Sequence, residues 1–274
     1  MHSQLQRRIQ RYGWDKAVND YEDGWRESLA LVQKCLLKTA NARHGETVLD
    51  LACGTGLVSF PLAEAIGPEG QLVATDISEK MIEELECVAH AIRVANIDAK
   101  RADGETLDIF DDQMFDLVTC ALGLMYFPEP MNTFRQSLRV LKPGGRAVFA
   151  VWGARKNCGW ADIFPIVDAR VKSEVCPMFF RMGTGNVLAN ELKEAGFVNV
   201  QEERISTVLP FANDENALTA AFSGGPVALA YGRFDDLTRR AAEEEYLASI
   251  AEFKKASGYE IPGEFVVCSA NVPE

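Results

Sequence analysis

The residues best suited to chemistry lie in one short stretch, VLDLACGTGLVSF (48–60), where Asp50 closes an apolar run and Gly54, Thr55 and Gly56 follow at once. A glycine turn after a strand lets backbone come close to a ligand, and the first amides of the next helix, expected from about Leu57, add partial positive charge. That helix end suits a carboxylate or a phosphate. Two kinds of cofactor use such a crevice. A dinucleotide calls for G-x-G-x-x-G, but Ser59 stands at the third glycine position, and a pyrophosphate would meet an acid in Asp50. A ligand with an ammonium beside a carboxylate fits better. The acid takes the ammonium, directly or through water, and the helix end takes the carboxylate; the α-carbon of a methionine is such a group. Asp76 falls 20 residues beyond Gly56, at the end of a second apolar run, where a carboxylate can accept both hydroxyls of a ribose. NAD enzymes use an acid in the same way, so Asp76 alone does not separate the two cofactors. Capping the next helix together with Ser78 is its other reading.

Groups able to move a proton are few. Of three histidines, His2 is terminal, His44 precedes the first strand on the wrong side of the sheet, and His90 lies within a helix away from the crevice. Tyr126 and Glu129, in YFPEP, follow the fourth strand at the correct edge. Tyr126 can hydrogen-bond an acceptor and Glu129 can take a proton. The simpler reading of Glu129 is an acid near the start of the following helix. The seven cysteines (35, 53, 87, 120, 158, 176, 268) form no C-x-x-C pair and no zinc spacing. Buried reduced thiols are the expectation, and with them a cytoplasmic location.

These residues are positioned by an alternation of strands and helices. TVLDLA, QLVATDI, AKRADGE, FDLVTCALGL and RAVFAVW read as five strands, separated by helices or turns. Such alternation implies right-handed crossovers and a parallel sheet covered on both faces, with ligands beyond the carboxyl ends of its strands. The helix after the second strand should bury Met81, Leu85, Val88 and Ile92. The chain before the first strand reads as helices, with Trp14, Val18, Tyr21 and Trp25 on one face, then Leu29, Val32 and Leu36. After Trp152 the rhythm breaks. Residues 153–185 are irregular and carry Trp160, Phe164, Met178, Phe179, Phe180 and Met182, too many large apolar groups for a free loop. A helix, a long sixth strand (198–211), helices at 214–222 and 236–257 and a last strand follow. The late strands lack the spacing of βαβ units, so an antiparallel pair is expected at the sheet edge.

Composition bounds the partners. The 274 residues hold 47% apolar side chains, enough for one large domain with a buried core. A net charge of −12 disfavours nucleic acid, which needs a basic footprint. No run is long and apolar enough for a membrane span, and the polar N-terminus has no secretory pattern.

Taken together, VLDLACGTG, ATDIS, RADGE, FDLVTCALGLMYFPEP and RVLKPGG resemble the class I S-adenosylmethionine-dependent methyltransferases, most of all the ubiquinone/menaquinone C-methyltransferase-like branch. The motifs cover roughly residues 12–151. Each is weak alone; their order on the right elements is the signal. The resemblance implies a Rossmann-like, doubly wound sheet of seven strands, mostly parallel with the last antiparallel, plus a helical cap. It implies one domain: a helical lid at 1–40, a cofactor core at 41–152, and cap elements at 153–185 and 211–260. By position, Asp50, Gly54, Thr55 and Gly56 would hold the methionine end, with Tyr21 and Trp25 covering it. Trp14, Ala17 and Tyr21 match the family's W…A..Y pattern. Asp76 would bind the ribose, with Ile77 and Met81 against the adenine. Asp103 would accept from the adenine amino group, flanked by Ala102 and Gly104. Cys120, Ala121 and Leu122 would floor the site beneath the sulfonium.

The implied reaction is methyl transfer from S-adenosylmethionine to a small acceptor by in-line displacement, leaving S-adenosylhomocysteine. No acid cluster follows the fourth strand, so a metal-dependent O-methyltransferase is not expected. LGLM stands where a nucleic-acid amino-methyltransferase would show D/N-P-P-Y. The acceptor is then a small molecule, apolar or aromatic in part, under a cap that includes Phe164, Met178, Phe179, Phe180, Met182, Phe222 and Tyr231. A homodimer is compatible with this reading. An NAD(P)-dependent oxidoreductase and a non-catalytic S-adenosylmethionine-binding protein are the rivals.

Overall fold

Short runs of β-branched and large apolar residues form a central sheet whose middle strands are buried on both faces, while its two edge strands are largely half-buried or exposed. The computed structural model describes residues 3–172, 176 and 178–274; His2 lies outside them, as do four positions of the 153–185 segment. In chain order the elements are α1 (Ser3–Ala40), β1 (Thr47–Leu51), α2 (Ser59–Ile66), β2 (Gln71–Asp76), α3 (Glu79–Ala91), β3 (Ile97–Arg101), β4 (Phe115–Ala121), α4 (Pro130–Val140) and β5 (Leu141–Trp152). Then come α5 (Ile163–Asp168), α6 (Val187–Ala195), β6 (Val198–Phe211), α7 (Asp214–Leu218), α8 (Ala228–Tyr231), α9 (Asp236–Ser249), β7 (Lys254–Lys255) and β8 (Gly258–Asn271).

The strand order is β3-β2-β1-β4-β5-β8-β6. The pairs from β3 to β5 are parallel, and β8 runs antiparallel to both its neighbours. The expected seven strands with the last reversed are therefore the main path. The two-residue β7, paired with β8, is an eighth. The helix expected to reach 257 stops at Ser249 instead, and a 3-10 turn (Ala251–Phe253) leads on to β7. Gly258, at φ 117°, turns the chain back into β8, a conformation open to glycine at little cost.

Other boundaries shift for local reasons. The helix expected from Leu57 starts at Ser59, because residues 54–58 form the turn. In α3 the buried face is Met81, Ile82, Leu85 and Ala89, and Ile92 is left exposed.

The N-terminal segment is one helix of 38 residues, not several. Its buried positions Gln10, Gly13, Ala17, Gly24, Ser28, Leu29, Val32 and Leu36 hold the three-to-four spacing of a single stripe. Gly24 does not break it. A Cβ there would stand 2.8 Å from Ala220 Cα, so glycine permits close contact with the π-helical turn Thr219–Ser223.

Beyond β5 the chain is anchored by one acid of β8. Glu264 is buried; it accepts from Ala154 N and Asn157 Nδ2, each at 2.9 Å, and pairs with Arg204 at 3.2 Å. This ties the start of the 153–185 segment to the sheet, at the carboxyl end of β5.

Candidate active site

A cavity opens beyond the carboxyl ends of β1 to β4, where the chemistry-bearing residues were expected. Four stretches build its floor: Ala52 and Gly54 after β1; Asp76 at the end of β2 with Ile77 and Met81 beyond it; Ala102, Asp103, Gly104 and Glu105 after β3; Ala121 at the end of β4 with Leu122 and Gly123 beyond it. Tyr126, Phe127 and Pro128 make one wall, and Arg7, Gln10, Trp14 and Tyr21 of α1 form the roof. Ala52 and Leu122 both take the left-handed region, at φ 51° and 60°. Each costs about 1–2 kcal/mol relative to the usual conformation, and strain of this kind concentrates at ligand sites.

Asp76 is buried within this cavity. Its Oδ1 accepts from Ser78 N at 2.8 Å and its Oδ2 from Gly54 N at 3.0 Å. Burial pushes its carboxyl up to about 6, against the backbone bonds that favour the charged form. Ser78, the N-cap of α3, bonds Met81 N through its own hydroxyl, so Asp76 is free of that duty. Each carboxylate oxygen keeps lone pairs for a ligand. Asp103 carries a second carboxylate at the cavity edge; its Oδ1 accepts from Glu105 N at 2.9 Å and its Oδ2 pairs with Arg7 at 3.1 Å.

Asp50 does not line the cavity. It is 1% exposed, and both oxygens are taken, Oδ2 by the Ser59 hydroxyl at 2.6 Å and Oδ1 by that of Thr119 at 2.8 Å. Its carboxyl is also pushed up to about 6 by burial, which the two hydroxyls only partly offset. Asp50 thus joins the start of α2 to β4 from behind. Gly56, at φ 97°, and the buried Thr55 lie behind it as well. Cys120 is fully buried below Gly123, its thiol pushed up to about 12 by burial and by Asp50.

Trp25 and Glu129 also fall outside this cavity. Glu129 is exposed on an outer groove with Met178, Met182 and Arg181. Trp25 lines a small neighbouring chamber, with Trp14, Tyr21, Leu29, Leu122, Tyr126, Trp152, Trp160 and Pro226. Trp14, Tyr21, Leu122 and Tyr126 line both spaces. The hydroxyls of Tyr21 and Tyr126 are held far toward the neutral form by burial, with a further push on Tyr21 from Asp76. Of the aromatic cap residues, Trp160 faces the chamber and Phe179 stacks edge-on against Tyr126 at 5.5 Å. Phe222 and Tyr231 pack on each other at 4.7 Å and line neither space.

Sequence reasoning missed Arg7, Gln10, Glu105, Gly123, Phe127 and Pro128. The signal for the arginine, RRIQR, is a basic run in an acidic chain. Among the described residues no cluster of His, Cys, Asp or Glu suits a metal ion, and no helix is long and apolar enough to cross a membrane.

The fold is Rossmann-like, with the cavity where such folds bind their ligands. Solved structures share the architecture: the YcgJ protein of Bacillus subtilis (TM-score 0.62, 16% identity, 89% of this chain and 99% of that one) and the BH2331 protein of Bacillus halodurans (0.61, 20%, 88% and 99%). Residues 25–200 match the sequence profile of the ubiE/COQ5 methyltransferase family, and the chain belongs to that family. Among its relatives, the demethylmenaquinone methyltransferase of Geobacillus sp. (strain WCH70) is 35% identical over 125 residues, 45% of this chain and 50% of that protein. That of Staphylococcus aureus (strain JH9) is 28% identical over 202 residues, 73% of this chain and 80% of that protein. The chain thus spans half the length of the first relative and four-fifths of the second. S-adenosylmethionine is the family's methyl donor, and no finding favours an oxidoreductase.

The cavity suits that donor. A buried carboxylate stands beside two glycines, Gly54 and Gly104, and a Cβ on Gly104 would press to 2.9 Å from the Phe127 ring.

Proposed function

We propose that this chain transfers the methyl group of S-adenosylmethionine to a small, hydroxylated aromatic ring of the quinol type, seated in the aromatic chamber. One observation carries the reading: the cavity beyond the strand ends and the chamber share Trp14, Tyr21, Leu122 and Tyr126, so a ring in one would face a methyl group at the edge of the other. The demethylmenaquinone methyltransferases among its relatives support the acceptor class.

In this reading Asp76 accepts from the ribose hydroxyls, Ile77 and Met81 cover the adenine, and Asp103 meets its amino group. Ala121 and Leu122 floor the reacting end. Asp50 acts from behind, holding the start of α2, and with it the end of the glycine turn, against β4. When bound, the cofactor supplies a methyl group on a sulfonium, already a good leaving group. The protein's part is alignment and exclusion of water. Positioning of this kind can supply on the order of 7–11 kcal/mol of barrier reduction. Tyr21 and Tyr126 stay neutral and orient the ring by hydrogen bonds. Glu129, outside both spaces, is not placed to take a proton. A hydroxylated ring brings its own electron density to the carbon that is methylated: the C–CH3 bond forms as the S–CH3 bond breaks, and the ring carbon then gives up its proton to solvent as aromaticity is restored, so no strong base is required.

The test is transfer of label from tritium-methyl S-adenosylmethionine to naphthalene-1,4-diol kept reduced. Organic-extractable label that depends on the chain is the expected result. Tight cofactor binding by calorimetry with no transfer to this diol or to benzene-1,4-diols would favour a binding protein instead.

A further inference from the structure

We propose that Trp160 determines acceptor specificity: its indole N–H donates to an oxygen on the acceptor ring and selects oxygenated rings over bare hydrocarbons. This deepens the preceding reading and rests on the chamber being the acceptor site. Trp160 is 1% exposed, and its Nε1 has no hydrogen-bond partner among the described residues. Its neighbour Trp25, nearly as buried, shows the usual solution, donating Nε1 to Ala220 O at 3.0 Å. A buried N–H left without an acceptor is destabilising, and native proteins keep few of them.

The Trp160 side chain is hemmed in on several sides. Rings of Trp152, Phe179, Trp25 and Phe164 pack around it at centroid distances of 4.8, 5.5, 5.6 and 5.8 Å. The same ring lines the chamber, which holds no charged residue on its walls. An anionic ligand would find no counter-ion there. A cation would gain from the aromatic faces but would meet an unpaired N–H. A neutral ring carrying a carbonyl or hydroxyl oxygen matches both the apolar walls and the donor. In this placement Tyr126 and Tyr21 meet the ring near the methyl group, and Trp160 holds it from the far end. Trp160 is thus a positioning residue for the transfer.

The test uses the full chain saturated with S-adenosylhomocysteine, so that binding is read without turnover. The chain has four tryptophans, so the ¹⁵N-indole spectrum is simple. The Trp160 signal is assigned from Trp160→Phe, or by elimination with Trp14→Phe, Trp25→Phe and Trp152→Phe should that variant fold poorly. Naphthalene-1,4-diol should move the Trp160 indole proton downfield, and naphthalene should not. Trp160→Phe should weaken the diol roughly tenfold, with naphthalene and S-adenosylhomocysteine within twofold of wild type. Equal losses for diol and naphthalene would reduce Trp160 to packing and overturn the proposal, as would an indole proton unmoved by bound diol. A chain that binds the diol through Trp160 yet never methylates it overturns only the catalytic reading. Methylation with Trp160 unmoved overturns only this one.

Discussion

Asp50 and Asp76 end neighbouring parallel strands, and their surroundings separate their roles. Asp50 spends both oxygens on Ser59 and Thr119, whereas Asp76 takes one backbone N–H on each oxygen and faces the cavity. The sequence placed both at the mouth of the sheet, since each stands at the end of an apolar run. It did not separate them, because depth is decided by two hydroxyls, one of them 69 residues away. Both carboxyls are raised from 3.8 to about 6, so the folded chain binds protons more tightly than the unfolded one. Their contribution to stability is therefore full below about pH 4 and is lost as pH rises through about 6. Asp50→Asn keeps the shape: one hydroxyl still donates to the amide oxygen, and the other turns to accept from the amide NH2. It should stabilise the fold above pH 7 by at most about 3 kcal/mol, the worth of a raise from 3.8 to about 6, and leave it unchanged near pH 4. Melting curves at the two pH values check this; a lower melting temperature at pH 8 would mean that the charge itself holds the turn. Asp76→Ala should instead cost cofactor affinity, roughly 1.5–3 kcal/mol for bonds to a charged acceptor. Calorimetry showing wild-type affinity would remove Asp76 from the site.

Helix α1 is an element whose function was only half legible. Its apolar stripe showed a helix packed on the core, and Trp14 and Tyr21 were visible as one face. What the stripe does not reveal is the polar edge that ties α1 across the cavity. Arg7 pairs with Asp103 and Glu105, Arg11 with Glu79 at 3.4 Å, and Asp15 accepts from Ser78 Oγ at 2.7 Å. These partners follow β2 and β3, far off in sequence, so no local pattern announces them. Glu105 is 3% exposed and depends on Arg7 for its charge partner; burial pushes its carboxyl up. Arg7→Met should therefore destabilise the fold by about 1–3 kcal/mol, between the cost of breaking a buried pair and that of a surface one. Amide exchange at the start of α1 should quicken, and S-adenosylhomocysteine should dissociate faster. Adding Glu105→Gln should restore most of the melting temperature by removing the stranded charge. Unchanged exchange and dissociation in Arg7→Met would show that α1 is not a latch.

At the scale of the whole molecule, the parallel core was legible because each strand, turn and helix is local, and the cap was not because its contacts are distant. The chamber draws Trp14, Tyr21, Trp25 and Leu29 from α1, Leu122 and Tyr126 from beyond β4, Trp152 and Trp160 from the end of β5 and after it, and Pro226 from before α8. Its walls close only when these segments meet. Two of them, α1 and the stretch beyond β4, also close the neighbouring cavity through the four shared side chains. A ligand that orders Trp14, Tyr21 and Tyr126 from one side leaves less to be ordered from the other. The two ligands should therefore bind cooperatively, and the coupling must be reciprocal. S-adenosylhomocysteine should tighten naphthalene-1,4-diol by about fivefold or more, and the diol should tighten S-adenosylhomocysteine by the same factor. Calorimetry of each ligand with and without the other measures both ratios. Equal ratios well above one place the shared aromatic wall between two coupled sites. Ratios of one would mean that the wall is rigid before either ligand arrives, and that the chamber's selectivity owes nothing to the cofactor.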